Sequence, residues 1–394
     1  MTPLTVAIAP DSFKGSLSAA QAAAAMAEGV RAAFGPDTVI VECPMADGGE
    51  GTLDAILGVW DVPARSTPTV DALGRPRQAR VGLSADGRTA VIEAAEANGL
   101  PAVMDVELDP LRADSFGVGI LARDALDHGV DEILLCVGGS ASTDGGTGLL
   151  GALGVAFLDH EGLPVPPGGA GLARIRTIDA SGLHARAREV RWRVAVDVSN
   201  PPCGAEGAAA VFGPQKGAST ADIAELDAGL ACLCAVVNSA TGIDMRDKAG
   251  AGAAGAMPVT LVPLLGAQMI SGSTMVADAI GLADRLAAAD LVITGEGRFD
   301  SQSLAGKVVE AVTRLSSPTA TVIVIAGSVG LSAAETRATG ITAAFSIANG
   351  PATLAELKAD AFERVRDATA QVCALFRLPI SPTRQAHPIR DPME

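Results

Sequence analysis

Short apolar runs at residues 6–9, 38–42, 291–294 and 321–326, bounded by Gly, Pro or Asp and alternating with longer Ala-rich helical stretches, constrain this chain most. That alternation is the pattern of parallel strands joined by crossover helices, so the expected class is α/β. At 394 residues the chain exceeds what one hydrophobic core usually supports, which predicts two domains. Residues 6–9 read as a strand and DSFKGSLS as its loop. Ser18 with Gln21 three residues later forms a capping box that opens a helix through about Phe34. Residues 38–42 follow as the next strand, then PMADGGEGT and a second helix. Two glycine-bearing acidic loops therefore leave the carboxyl ends of successive strands, where open α/β sheets bind ligands.

The same grammar returns near the other end, where residues 291–294 lead into the loop TGEGRFDSQSLAGK, a helix from about Ala305 and the strand 321–326. Between these halves come short strands (77–83, 89–93, 133–137) and long glycine-rich loops. This reads as a second domain, residues 71–289, inserted into a first made of 1–70 and 290–378. The last helix is expected over about 353–376, and residues 379–394 lack periodicity and read as a mobile tail. Residues 249–277 carry no charge, but Pro258, Pro263 and repeated glycines break them up, so a buried glycine-rich loop with helix is expected there and not a membrane span.

Composition excludes several function classes. A formal net charge of -16, from 45 acidic against 29 basic residues, repels nucleic acid and anionic membranes, and 3% aromatics with no tyrosine leave little for base stacking. The expected partners are small molecules, with room for a homodimer. Cys43, Cys136, Cys203, Cys232, Cys234 and Cys373 include no C-x-x-C pair, and the N-terminus lacks a basic region ahead of a long apolar stretch, which together predict buried thiols and a cytoplasmic enzyme. His128, His160, His184 and His387 have no metal-ligand spacing and lie outside the acidic loops.

Three segments share a design: Asp11-Ser12-Phe13-Lys14-Gly15, Asp47-Gly-Gly-Glu50-Gly51, and Glu296-Gly-Arg298-Phe-Asp300 running to Lys307. Each sets carboxylates beside glycines just after a strand, where backbone N–H groups can hold phosphate oxygens and carboxylates can hold Mg²⁺. The plainer reading of each is a βα turn with an Asp cap. A Walker loop does not fit, because Gly306-Lys307 is followed by Val308 and Ser301 stands where the first glycine belongs. Gly250-x-Gly252-x-x-Gly255 and Gly146-x-Gly148-x-x-Gly151 match a dinucleotide fingerprint in spacing but lack its strand and acid context. Gly138, Gly139 and Ser140, ahead of Asp144, end a strand in a form suited to donate backbone hydrogen bonds to an anion. Asp197, within or at the end of an apolar strand, is a candidate general base or metal ligand, with a structural ion pair as the alternative. Lys216 faces either a phosphate or solvent.

In order along the chain, IAPDSFKGSLSA, MADGGEGT, GGSASTDGGTGLLGALG, NPPCGAEGAAAVFGPQKGA, AGAGAAG and ADLVITGEGRFDSQSLAGK resemble the bacterial glycerate kinases that phosphorylate D-glycerate, from about Val6 to Phe376. The resemblance implies a discontinuous Rossmann-like parallel-sheet domain with a second α/β domain inserted in it, and Mg-ATP as phosphoryl donor. It implies 2-phosphoglycerate as product, with the 3-phosphate or a related small hydroxy acid as alternatives. Read with it, Lys14 and Lys307 serve phosphate charge, helped by Ser12, Lys216, Gly138, Gly139 and Ser140. Asp11, Asp47 and Asp300 serve Mg²⁺ or the attacking hydroxyl, Glu50 and Glu296 join Asp47 as metal candidates, and Arg298 suits the glycerate carboxylate. Asp197 is the rival base, and the choice among the aspartates stays open.

Overall fold

The computed structural model describes residues 4–304 and 306–376. The tail expected at 379–394 and the expected helix start at Ala305 lie outside the described residues. In chain order the first strands are β1 (Thr5–Ile8), β2 (Val39–Glu42), β3 (Arg65–Val70), β4 (Pro76–Leu83), β5 (Thr89–Glu93) and β6 (Glu132–Cys136). Then come β7 (Ala156–Leu158), β8 (Thr177–Asp179), β9 (Arg191–Ala195), β10 (Gln268–Ile270), β11 (Leu291–Phe299), β12 (Thr321–Val329) and β13 (Ala343–Ser346).

Five of these build an all-parallel sheet in the order β13-β12-β11-β1-β2, drawn from both chain ends. Numbered within the sheet, the order is the doubly wound 2-1-3-4-5, whose direction reverses between β1 and β11. Helix α1 (Ala19–Phe34) starts at the expected Ser18–Gln21 capping box and buries Ala22, Met26 and Val30 on one face of this sheet, together with Val365 and Val372 of the helix Ala361–Leu375. A second sheet, β10-β9-β6-β5-β4-β3, is parallel from β5 to β10 and antiparallel from β3 to β5. The fold is thus α/β, a discontinuous Rossmann-like sheet with a second α/β unit inserted. Because Arg65–Val70 pairs within the second sheet, we propose a domain division that assigns β3 to the insert, ahead of the position 71 read from sequence.

The two units share one apolar cluster. Leu53 and Ile56 of helix α2 (Thr52–Trp60) pack with Val91, Leu134 and Ala195 of the second sheet and with Ala7, Val292 and Val324 of the first. A helix from the start of the chain therefore cements the insert to its host.

Two expectations are corrected and a third is given its detail. The stretch from Gly295 to Phe299 is strand, not loop, because β12 runs alongside as far as Val329 and continues the ladder beyond the end of β1. The terminal helix is two, Leu354–Ala359 and Ala361–Leu375, broken at Asp360 by a non-helical ψ of 18°. The charge-free stretch is divided among the helices Ala253–Ala256, Pro258–Leu265 and Gly272–Ala279 with β10 between, and no described helix is long and apolar enough to cross a membrane.

Candidate active site

The carboxyl ends of both sheets bring four carboxylates together. Beyond β1 the chain crosses β11, with the Asp11 N–H donating to the Gly295 carbonyl at 2.8 Å, so Asp11 and Glu296 flank the point where the strand order reverses. Burial pushes the Asp11 carboxyl up to about 7, and the negative charges of Asp47 and Glu296 add to that, against a 2.6 Å hydrogen bond from the Ser12 N–H. Glu296 is raised by burial and by Asp300 and Asp47, and lowered by Ser303 and Lys307. Its Oε1 is buried without a hydrogen-bond partner. Asp197, two residues beyond β9, is an exposed residue, yet partial desolvation of its carboxyl raises it to about 6, with Asp47 adding and Lys307 opposing. Like charges crowded this way each favour a proton or a cation between them.

One helix end sets the geometry. The Gly272 N–H, first in the helix Gly272–Ala279, donates to Asp197 Oδ1 at 3.0 Å, and the hydroxyl of the next residue, Ser273, donates to the Gly306 carbonyl at 2.5 Å. Asp197 and the backbone that presents Lys307 are therefore tied to the same turn. A Cβ on Gly272 would collide with the Asp47 carbonyl and the Gly48 nitrogen, so the Asp47 loop rests directly on this helix end. Gly272→Ala is expected to cost about 1–3 kcal/mol through overpacking against backbone that cannot retreat. Urea unfolding checks this; an unchanged midpoint would show the loop free to move.

The Gly138–Asp144 loop lines the neighbouring wall, with the Cβ position of Gly138 3.0 Å from the Gly49 Cα. Gly138 and Gly139 are exposed and Ser140 is buried. Asp144 is wholly buried and is consumed by structure: it accepts from the Ser115 N–H at 2.9 Å, the Ser115 hydroxyl at 2.7 Å, the Ser142 hydroxyl at 3.0 Å and the Gly148 N–H at 3.0 Å. The solvent-facing alternative for Lys216 is overturned, since it is 3% exposed and its ammonium donates to Ser140 Oγ at 3.2 Å and to the Ser142 carbonyl at 2.5 Å. Burial lowers it to about 8, with Asp144 opposing.

The other expected residues border this convergence: the Lys14 backbone nitrogen lies 3.4 Å from the Gly297 Cβ position, next to Glu296, and the charge of Asp300 acts on Glu296. Lys14 and Glu50 are exposed. Arg298, 77% exposed, forms an ion pair with Asp300 at 2.8 Å. Asp300 also accepts from the Gln302 N–H at 2.9 Å, which is the turn-forming role weighed against a catalytic one. Ser12 sits in the loop expected of it, and Lys307 is the N-cap of the helix Val308–Leu315, which starts later than the expected Ala305. Sequence reasoning missed Gly272, Ser273 and the buried Glu93. No spacing rule marks them, since each acts on a partner remote in sequence.

Among the described residues no group of three or more His, Cys, Asp or Glu is arranged as a metal cage. That donor set still suits Mg²⁺, which keeps several waters and takes one or two protein carboxylates along with phosphate oxygens. Asp11, Asp47 and Glu296 offer hard oxygens, and the unpartnered Glu296 Oε1 leaves an acceptor free for such an ion.

Residues 6–377 match the model of the glycerate kinase family. The chain is 41% identical over 376 residues to a glycerate 2-kinase of Escherichia coli (strain K12), covering 95% of this chain and 98% of that one. It is 40% identical over 376 residues to a glycerate kinase of Bacillus subtilis (strain 168), with the same coverage of 95% and 98%. A crystal structure described as a candidate glycerate kinase 2 from Salmonella typhimurium LT2 superposes with a TM-score of 0.86 at 42% identity, over 95% of this chain and 98% of that one.

Proposed function

The chain belongs to the glycerate kinase family and is a phosphotransferase with an alcohol group as acceptor, and we propose that it transfers the γ-phosphoryl group of ATP to D-glycerate, giving 2-phosphoglycerate with the aid of Mg²⁺. The name of the E. coli relative supports the 2-position. The observation that carries the reading is the convergence of Asp11, Asp47, Asp197 and Glu296 with Lys307 at the sheet ends.

In this proposal a glycerate hydroxyl oxygen bonds to the γ-phosphorus, the bond from that phosphorus to the β–γ bridging oxygen breaks, ADP leaves, and the hydroxyl proton passes to Asp197. Asp197 suits the base because its Oδ1 is held by the Gly272 N–H, which orients Oδ2 toward the Asp47 loop, 3.6 Å from the Gly48 Cβ position. One or two of Asp11, Asp47 and Glu296 would hold Mg²⁺, which supplies charge neutralisation for the phosphates; Glu50 is left to the outer loop. Lys307 and Lys14 offset charge on the transferring phosphoryl group, with Ser12 and the exposed Gly138 and Gly139 as hydrogen-bonding neighbours. Arg298 meets the substrate carboxylate, exchanging Asp300 for it, and Lys216 supports the Ser140 loop from beneath. The chain would work as a small-molecule enzyme in the cytoplasm, with ATP and D-glycerate as its partners and a homodimer as the assembly to test.

ADP release with Mg-ATP and D-glycerate, the product passed to enolase with and without phosphoglycerate mutase, tests the reading. Phosphoenolpyruvate without mutase is expected. A requirement for mutase would make the enzyme a glycerate 3-kinase. Absence of ADP release on D-glycerate, with release on another small hydroxy acid, would move the substrate.

A further inference from the structure

We propose that Glu93 is a positioning residue: from the end of β5 its carboxylate holds the first turn of α2, and through that turn the Asp47–Gly51 loop, a role that rests on the proposed use of this loop in phosphoryl transfer. Glu93 is 5% exposed and belongs to the inserted sheet, whereas the loop and helix it holds come from the start of the chain. The Leu53 N–H donates to Glu93 Oε1 at 2.6 Å, across 40 residues of sequence.

The local sequence explains why an outside group is needed. The first N–H groups of a helix lack partners within it. Gly51 occupies the N-cap of α2 with φ of +90° and has no side chain to offer, so the cap is supplied from the other sheet. A carboxylate suits that end of a helix, where the backbone dipole is positive. Beside it the Thr52 hydroxyl donates to the Gly49 carbonyl at 2.7 Å, which transmits the fixed turn back into the loop. On its far side the loop meets Gly138, whose Cβ position lies 3.0 Å from the Gly49 Cα. The loop bearing Asp47 is thus gripped between Glu93, the Gly138 turn and the Gly272 helix end, all three from the insert.

Burial holds the Glu93 carboxyl up at about 7, countered by the Leu53 N–H. The charged groups around it are Glu96, Asp54 and Arg80, with Arg80 bridging Asp54 at 2.7 Å and Glu96 at 2.7 Å, and Cys136 lies beside it in the adjacent strand. Glu93 is absent from the reacting set and acts only through the helix it caps.

The test compares Glu93→Leu, which removes the acceptor at similar bulk, with Glu93→Gln, which keeps an acceptor oxygen but cannot ionise. The Leu variant is expected to lose about 10- to 100-fold in kcat with a much smaller change in KM, as small misplacements of catalytic groups do. The Gln variant is expected within about threefold of wild type, without the part of the pH profile near 7 that Glu93 contributes. Hydrogen exchange at the Leu53 amide, which needs no substrate, should be fast in Glu93→Leu and protected in Glu93→Gln. A folded Leu variant with wild-type kcat, or a Gln variant as impaired as Leu, overturns the proposal. Should Glu93→Leu fail to fold, Glu93→Gln decides alone, since an unprotected Leu53 amide or an unaltered pH profile also overturns it. If the wild-type protein releases no ADP with D-glycerate, the functional reading fails instead, and the exchange measurement still judges the latch.

Discussion

Asp197→Asn is expected to lower kcat by about 10²- to 10⁴-fold while the protein keeps its fold, the range over which a positioned base contributes. The amide preserves shape and can still accept the Gly272 N–H through its oxygen, so the helix end and the Asp47 loop stay in register. What it loses is the ability to take a proton. Asp11→Asn is the control for the competing assignment, because Asp11, half-buried, is also held well above the ordinary carboxylate range. If Asp11 works through Mg²⁺, its variant should lose activity mainly as a raised Mg²⁺ requirement, whereas Asp197→Asn should not recover at any Mg²⁺ concentration. Turnover of Asp197→Asn within about threefold of wild type would remove it from the mechanism. A pH profile measured alongside should show the wild-type rate falling as pH drops below about 6, where Asp197 takes up a proton.

The second large effect concerns Lys216 and is one of stability against pH. Its ammonium is buried with two neutral oxygens as hydrogen-bond partners, and burial brings it from 10.5 to about 8. Below pH 8 the side chain is charged in both the folded and the unfolded chain, so folding bears the full cost of desolvating it. Between pH 8 and 10.5 the folded protein has released the proton and the unfolded chain still binds one, so this group makes stability rise with pH across that window. At about 1.4 kcal/mol per pH unit the rise is about 3 kcal/mol. Lys216→Met lacks the group, so the stability difference between wild type and variant should shift by about 3 kcal/mol in favour of wild type on going from pH 7.5 to 10.5. Urea unfolding of both proteins at the two pH values measures it. A difference that does not move with pH would mean that Lys216 titrates as if exposed. We propose that the chain tolerates such a cost because the lysine supports the Ser140–Ser142 segment beside the acidic loops, so Lys216→Met should also be slower in phosphoryl transfer.

Much of the fold was legible because its signals are local. A capping box spans three residues, and Ser18 with Gln21 marked the start of α1 correctly. Apolar runs ending in Gly- and Asp-bearing loops announced the strands of the first sheet and the end of the sheet where chemistry collects. The errors share one cause. The strand β11 outran its expected end at Thr294 because its length depends on how far β12 travels beside it, and that partner lies more than twenty residues later. Asp144 follows the Gly138–Ser140 turn that looked suited to an anion, yet its own carboxylate is taken by Ser115 at a distant helix start.

The candidate site divides the same way. Sequence by itself determined the class of the fold, the family, and the set of acidic loops from which the site is built, because strand, turn and cap propensities and ordered motifs are properties of neighbouring residues. Only the tertiary structure decided that Asp11, Asp47, Asp197 and Glu296 meet, that Lys216 is sealed from solvent, and that Glu93 caps a helix of the other unit. Those outcomes depend on burial and on contacts between distant strands, and a carboxylate's charge, partner and role are set by what surrounds it once the chain has closed.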